Sequence, residues 1–424
     1  MRVRFSAVVM AINLILSAPA DAQLLDAHTV ARGSWPAIAA GGEGRLYATF
    51  EAYENDAKVP DIFFSISTNG GATWSPAKDI SRTLTGVSRH PDIAVEKNGA
   101  VDVVWSDSST DPTNPDIFFV RSADGGKSWT EPMDISNTPG VCAEPSLAIG
   151  PHDSIHVVWS DTSTGVRNRD IYYVCSKDGG RKWAKDQLLP AVDISSTPGS
   201  SSEPSIAVGA EGIVHVAWAD TTAGATHPDI YYVWRENNAW TKPVNVSKSV
   251  RISSHPTLAC DKGKVFLAWS DNSKKETAAD IWLAVADRPG KFANTVNISE
   301  TKGVSIEPSV AADDGLLTVV WSDTTASARS LSADAKTASI FARLSPDSAS
   351  NFSKVISVSN PQQMAIHPHA TFAGGKMIVI WEELDRAGEE STIKASSITI
   401  KGLATSTAAP VTPTVHRAVT GNQH

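Results

Sequence analysis

Short apolar runs alternate with clusters of Gly, Asn, Asp and Ser from Trp35 to Ile400. In one stretch the runs are Asp92 to Glu96, Val101 to Trp105, Asp116 to Ser122 and Glu131 to Ser136. Runs of that length, bounded by turn residues, predict β-strands. The same four-run unit returns along the chain. An x-Pro-x-apolar motif recurs at Pro36, Pro91, Pro145, Pro204, Pro256, Pro308 and Pro368. Each proline is followed 13 or 14 residues later by an aromatic: Phe50, Trp105, Trp159, Trp218, Trp269, Trp321 and Trp381. In six copies an Asp-Ile or its equivalent stands 11 residues further on, at Asp61, Asp116, Asp170, Asp229, Asp280 and Thr392. The sixth copy reaches Ser339 only after 18 residues, so its loop holds a 7-residue insertion.

Four short strands per repeat of this length predict an all-β fold, a β-propeller with seven four-stranded blades, six being the alternative. Proline at the opening of a first strand removes no ladder bond. The last repeat lacks a fourth strand, and the run Leu24 to Ala31 is the candidate to supply it and close the ring. Residues 23–402 are thus expected to form the propeller and 403–424 a disordered or linker tail rich in Ser, Thr, Ala and Pro. Arg2, Arg4, the apolar run Phe5 to Leu16 and the small residues around Ala22 predict a cleavable export signal over 1–22. The expected location is secreted or periplasmic. The apolar run is too short to span a bilayer, so the protein is not expected to be membrane-embedded.

The 37 basic and 46 acidic residues give a net charge of −9. With no basic face, nucleic acid is not an expected partner. Three cysteines, Cys142, Cys175 and Cys260, permit one disulfide and one free thiol, but each sits in or beside a strand, where a buried thiol is the plainer reading.

Three turns after the third strands share a second pattern. They read Ser67-Thr-Asn-Gly-Gly-Ala-Thr-Trp74, Ser122-Ala-Asp-Gly-Gly-Lys-Ser-Trp129 and Ser176-Lys-Asp-Gly-Gly-Arg-Lys-Trp183. Asn69, Asp124 and Asp178 are expected to cap the turn, glycine to supply positive φ, and tryptophan to pack back onto the blade. The pattern fades to Glu236–Trp240 and Asp347–Phe352 in later repeats. It resembles the Asp-box of sialidase-like (BNR-repeat) propellers, and the blade-level resemblance covers about residues 34 to 400. The resemblance implies a structural role for these boxes, away from the ligand face. Likeness to the catalytic sialidases is weaker. Those enzymes imply an arginine triad, a tyrosine nucleophile with a glutamate partner, and an aspartate acid/base. Only Arg89 stands two residues before a first-strand proline, where blade one has Ser34, and no tyrosine follows Tyr232. Glu51, Glu54 or Asp56 could mimic the acid/base.

Two rings are expected on the ligand face. The residue before each first-strand proline gives Trp35, His90, Glu144, Glu203, His255, Glu307 and His367, an inner ring of mostly His and Glu. The residue two after each second-strand aromatic gives Asp107, Asp161, Asp220, Asp271, Asp323 and Glu383, with Ala52 the exception. An acidic mouth repels an anionic sugar and attracts cations. His90, Glu144, Glu203, His255, Glu307 and His367 form a donor set suited to a divalent metal or a cationic ligand. Arg89 and the five aspartates are candidate ligand contacts. The competing reading is structural: His or Glu bonds the next blade, Asp caps the following Ser/Thr loop, and Trp fills the space between blades. Recurrence in every repeat favours that reading. The expectation is an exported propeller that binds a ligand, glycan or protein on this face without catalysis. The alternatives are an exo-sialidase-type glycoside hydrolase and a metal-dependent role. No cofactor is certain.

Overall fold

The computed structural model describes residues 27–53, 59–83, 85–165, 168–183, 191–274, 278–324, 337–385 and 390–400. The expected export signal, its cleavage site, Glu54, Asp56 and the tail beyond 402 lie outside them. The described residues form seven antiparallel sheets in a closed β-propeller. Within blades 1 to 6 the strands run in chain order from the channel outward, and in blade 7 the first three do. The first strands are Ser34–Ala40, Ser88–Val95, Cys142–Ile149, Ser201–Val208, Ser253–Asp261, Ser305–Asp313 and Met364–Ala373. Each packs against the next, and the seventh packs against the first.

Blade 7 is completed as the sequence suggested. His28–Arg32 pairs antiparallel with Ser391–Thr399 and becomes its outermost strand. Gly33 then turns the chain into blade 1. A Cβ there would lie 2.4 Å from the carbonyl oxygen of Glu51, so only glycine fits. The closing strand also buries Val30 among Ile38, Phe50, Ile378 and Ile393, which ties blades 1 and 7 together.

Seven apolar clusters fill the seven gaps between blades. Second strands supply both sides, because successive side chains point to opposite faces. Val103 and Trp105 pack toward blade 1, whereas Val104 packs toward blade 3. The second strands therefore carry apolar residues on both faces and are buried at every position in blades 2, 3 and 4.

The turns after the third strands are built on side-chain hydrogen bonds. Ser67 Oγ donates to Asn69 Oδ1 at 2.9 Å, and Thr73 N donates to the same oxygen at 2.9 Å. Asp124 and Asp178 accept the matching bonds from Ser128 N and Lys182 N, both at 2.9 Å. Asp347 does so from Asn351 N at 2.8 Å, so the sixth blade keeps the geometry that its sequence only partly shows. The aromatic that closes the turn does not fold back on its own blade. Trp129 packs edge-on against Phe64 of blade 1, Trp183 against Phe119 of blade 2 and Trp240 against Tyr173 of blade 3. It staples each blade to the one before.

Candidate functional site at the channel mouth

Each first strand carries a β-bulge around its proline, where the register shifts. The residue before the proline takes a left-handed backbone in all seven blades. Its φ is 49° at Trp35, 53° at His90, 55° at Glu144, 56° at Glu203, 51° at His255, 54° at Glu307 and 49° at His367. No glycine relieves this strain, which amounts to about 1 kcal/mol or more per residue. The bulge turns seven large side chains into one cavity of about 460 Å³ at the mouth of the channel. The inner ring expected from the sequence is there.

Backbone hydrogen bonds explain part of its composition. Glu144 Oε2 accepts the N–H of Glu203 at 2.9 Å, Glu203 Oε2 that of His255 at 2.6 Å, and Glu307 Oε2 that of His367 at 3.1 Å. A ring glutamate thus holds the strained bulge of the next blade. Trp35 and His367 have no carboxylate to offer, and second-strand residues replace them. Glu51 Oε1 accepts from His90 N at 2.8 Å, and Glu382 Oε2 from Trp35 N at 3.2 Å.

That substitution draws several unusual groups into the sector of blades 7, 1 and 2. His367 stacks on Trp35 with ring centroids 3.7 Å apart, and His90 meets the same indole edge-on at 4.8 Å. His367 Nδ1 lies 2.9 Å from Glu382 Oε2, and its Nε2 lies 3.5 Å from Glu307 Oε1. Burial pushes the imidazole toward neutrality, but these carboxylates outweigh it and raise the His367 pKa. Burial would likewise raise Glu382, yet hydrogen bonds from His367 and Ser391 hold it low. Glu51 behaves oppositely. Burial drives it up to about 7, against the His90 N–H and the Arg89 guanidinium 3.6 Å away. Burial lowers His90. Trp35, which lines the cavity, remains 40% exposed, and Arg89, one residue before His90, is half exposed.

The six residues expected to ligate a metal line the cavity without converging. Among the described residues no group of three or more His, Cys, Asp or Glu side chains could hold an ion. The ring spaces them apart, and the glutamates turn sideways onto the neighbouring N–H.

The outer ring also lies elsewhere than expected. Asp107, Asp161, Asp220 and Asp323 are fully buried and Asp271 nearly so. Asp107 accepts from Trp105 Nε1, Ser88 Oγ and Ser109 N, each at 2.7 Å. Asp220 accepts from Trp218 Nε1, Ser201 Oγ, Thr197 Oγ1 and Thr222 N between 2.6 and 2.9 Å. Asp161 and Asp271 accept the N–H of Ser163 and Ser273, and Asp323 accepts the hydroxyls of Ser305 and Thr301. These carboxylates knot the loops of their own blades. The second-strand tryptophans are buried too, so they pack rather than face a ligand. In blade 1 Phe50 has no N–H to donate and Ala52 replaces the acceptor, while Trp269, Trp321 and Trp381 leave Nε1 without a partner among the described residues.

Tyr173 and Tyr232 are buried, with burial pushing both hydroxyls well up, and their oxygens bond His156 and His215. None of the described tyrosines lines the channel mouth. All three cysteines are free; Cys142 is buried, and burial raises Cys260 to about 12.

No family model matches the chain, and no curated protein matches its sequence. Solved structures do. A protein of unknown function from Dyadobacter fermentans DSM 18053 is 12% identical with a TM-score of 0.56, covering 89% of this chain and 99% of its own. A Hadza microbial sialidase is 14% identical with a TM-score of 0.50, covering 88% of this chain and 66% of its own. An α-L-arabinofuranosidase from Fusarium graminearum, solved with an iminosugar inhibitor, is 15% identical with a TM-score of 0.51, covering 74% and 94%. This chain shares the β-propeller fold with these proteins. At such identities the likeness is one of fold, and residues must carry the rest. Among the described residues that line the mouth cavity there is no arginine; Arg89 stands beside it, next to His90.

Proposed function

We propose that this propeller is a glycan-binding scaffold whose ligand docks at the channel mouth against Trp35. The observation that carries the reading is the exposed indole, fixed between His367 and His90 in a ring otherwise made of His and Glu. A rigid aromatic face stacks on the apolar face of a sugar, and nearby carboxylate, imidazole and guanidinium groups bond its hydroxyls. That two fold neighbours are glycosidases is in keeping with the reading. The export signal expected over 1–22 would deliver the protein to extracytoplasmic glycans, which N-terminal sequencing of the exported product checks. Glycan-array binding by the wild type, lost in Trp35→Ala with an unchanged melting temperature, is the expected result. Equal binding by both proteins overturns the proposal.

One observation favours a hydrolase as the second reading. Glu51 is raised to about 7 while Glu382 is held low, a divergence suited to an acid and a base. Both carboxylates are buried and hold bulge N–H groups, which ranks this reading second. Turnover of a fluorogenic glycoside or sialoside that disappears in Glu51→Gln would promote it.

A further inference from the structure

Below the mouth ring, one residue beyond each proline, a second layer lines the same cavity. Its hydrogen bonds run from blade to blade. Leu258 N donates to Ser205 Oγ at 3.0 Å, Val310 N to Thr257 Oγ1 at 3.4 Å, and Ala370 N to Ser309 Oγ at 3.2 Å. Ile38 N donates to His369 Nδ1 at 3.2 Å. A hydroxyl has two lone pairs and one proton. Here the neighbouring N–H occupies a lone pair of each hydroxyl and leaves the proton unused. No acceptor for these protons is recorded among the described residues. His369 accepts at Nδ1, so the proton of its neutral ring sits on Nε2. Blades 4 to 7 therefore present four adjacent donors to the throat of the channel.

Blade 2 presents the opposite chemistry. Asp92 stands in the same layer and accepts from Leu147 N and Ile93 N, both at 2.8 Å, and from the Ser146 hydroxyl, with His369 near enough to act on its charge. A carboxylate has about four acceptor sites, so it keeps one toward the channel. An anion would suit the donor arc but would face Asp92 and pass Glu144, Glu203 and Glu307. A cation would suit the acids and leave the donors unmatched. A polyol offers lone pairs to one wall and protons to the other. The cavity of about 460 Å³ falls in the usual range for a small ligand, roughly 300–1,000 Å³.

We propose that the throat takes the terminal, uncharged sugar unit of a glycan end-on, with its hydroxyls between the donor arc of blades 4 to 7 and Asp92. The proposal rests on the glycan-binding reading of Trp35, and it adds the class of ligand and its direction of entry. A throat ringed by all seven blades admits a chain end and not the middle of a chain.

The test is an array of oligosaccharides linked through their reducing ends. Each neutral chain is paired with the same chain capped by sialic acid. The wild type should bind the uncapped members only. Thr257→Val with Ser309→Ala should weaken that binding by about tenfold, the loss of two neutral hydrogen bonds. Thr257→Ser keeps the hydroxyl and should bind as wild type. Melting temperatures show that each variant folds, and Thr257→Val alone replaces the double variant if that one does not. Equal binding to capped and uncapped chains, or full affinity in the folded variant, overturns the throat site. If Trp35→Ala still abolishes such binding, the mouth reading survives without the throat. If the wild type binds no glycan on the array, the reading beneath the proposal fails with it.

Discussion

Blades 3 and 4 and the sector of blades 7, 1 and 2 use one fold in two ways. In blades 3 and 4 each second-strand tryptophan donates to the aspartate two residues on, and each ring glutamate holds the bulge of the next blade. Blade 1 breaks the first rule in its sequence, the Trp269, Trp321 and Trp381 Nε1 atoms of blades 5 to 7 have no partner among the described residues, and the sector breaks the second rule. Phe50 and Ala52 remove donor and acceptor as a pair. Trp35 and His367 lack a carboxylate, and Glu51 and Glu382 supply it from the second strands. A device copied around a ring serves the ring. A departure that needs its own compensation marks something the molecule does once.

The largest effect should come from the copied device. Asp220→Ala strands the fully buried Trp218 and Ser201 donors and the half-buried Thr197 and Thr222 donors. The expected loss is about 3 kcal/mol or more by denaturant unfolding, with glycan binding of the surviving folded protein unchanged.

Next comes Glu51 in the sector. Its folded pKa lies above its unfolded value of 4.5, so the folded state binds the extra proton. Its contribution to stability therefore falls as pH rises from 4.5 to about 7, by up to about 3 kcal/mol. Glu51→Gln keeps an acceptor for His90 N and removes the charge. It should raise the melting temperature at pH 8 and change it little at pH 4.5; a uniform shift would contradict the burial argument.

A smaller effect joins the two regions. Trp218→Phe with Asp220→Ala writes the blade 1 pair into blade 4. The double variant should be about 1 kcal/mol more stable than the two single losses added together, because one orphaned donor is gone. Strict additivity would mean that the Phe50 and Ala52 pairing is incidental. The smallest effect is Glu203→Gln, which keeps an acceptor for His255 N and should cost under about 1 kcal/mol.

The repeat was legible because short apolar runs bounded by turn residues and strand-opening prolines are local signals. The closing strand was legible because one blade lacked a partner. The inner ring could be read from its position before each proline, but its left-handed backbone could not, since no glycine marks it. The aspartate ring was misplaced on an outer face because spacing alone does not tell whether a side chain after a strand points to solvent or to the tryptophan two residues back. Glu382, Asp92 and His369 went unnoticed as site residues, though a signal existed. They stand where other repeats have Ser106 or Ser322, and Ser146, Ser205 or Thr257. Reading what differs between repeats, rather than what matches, finds them.

The closing strand also fixes an order of events. His28–Arg32 leaves the ribosome hundreds of residues before its partner Ser391–Thr399, and no local hairpin can pair it meanwhile. The ring can close only once Ser391–Thr399 is present, and a chain cut short before or within that strand has an open gap instead of a smaller wheel. Until that late clasp, the edge of blade 7 offers a bare row of amides to any extended strand nearby. A cell making this protein must keep the growing chain from accepting a strand from a sister copy in place of its own beginning.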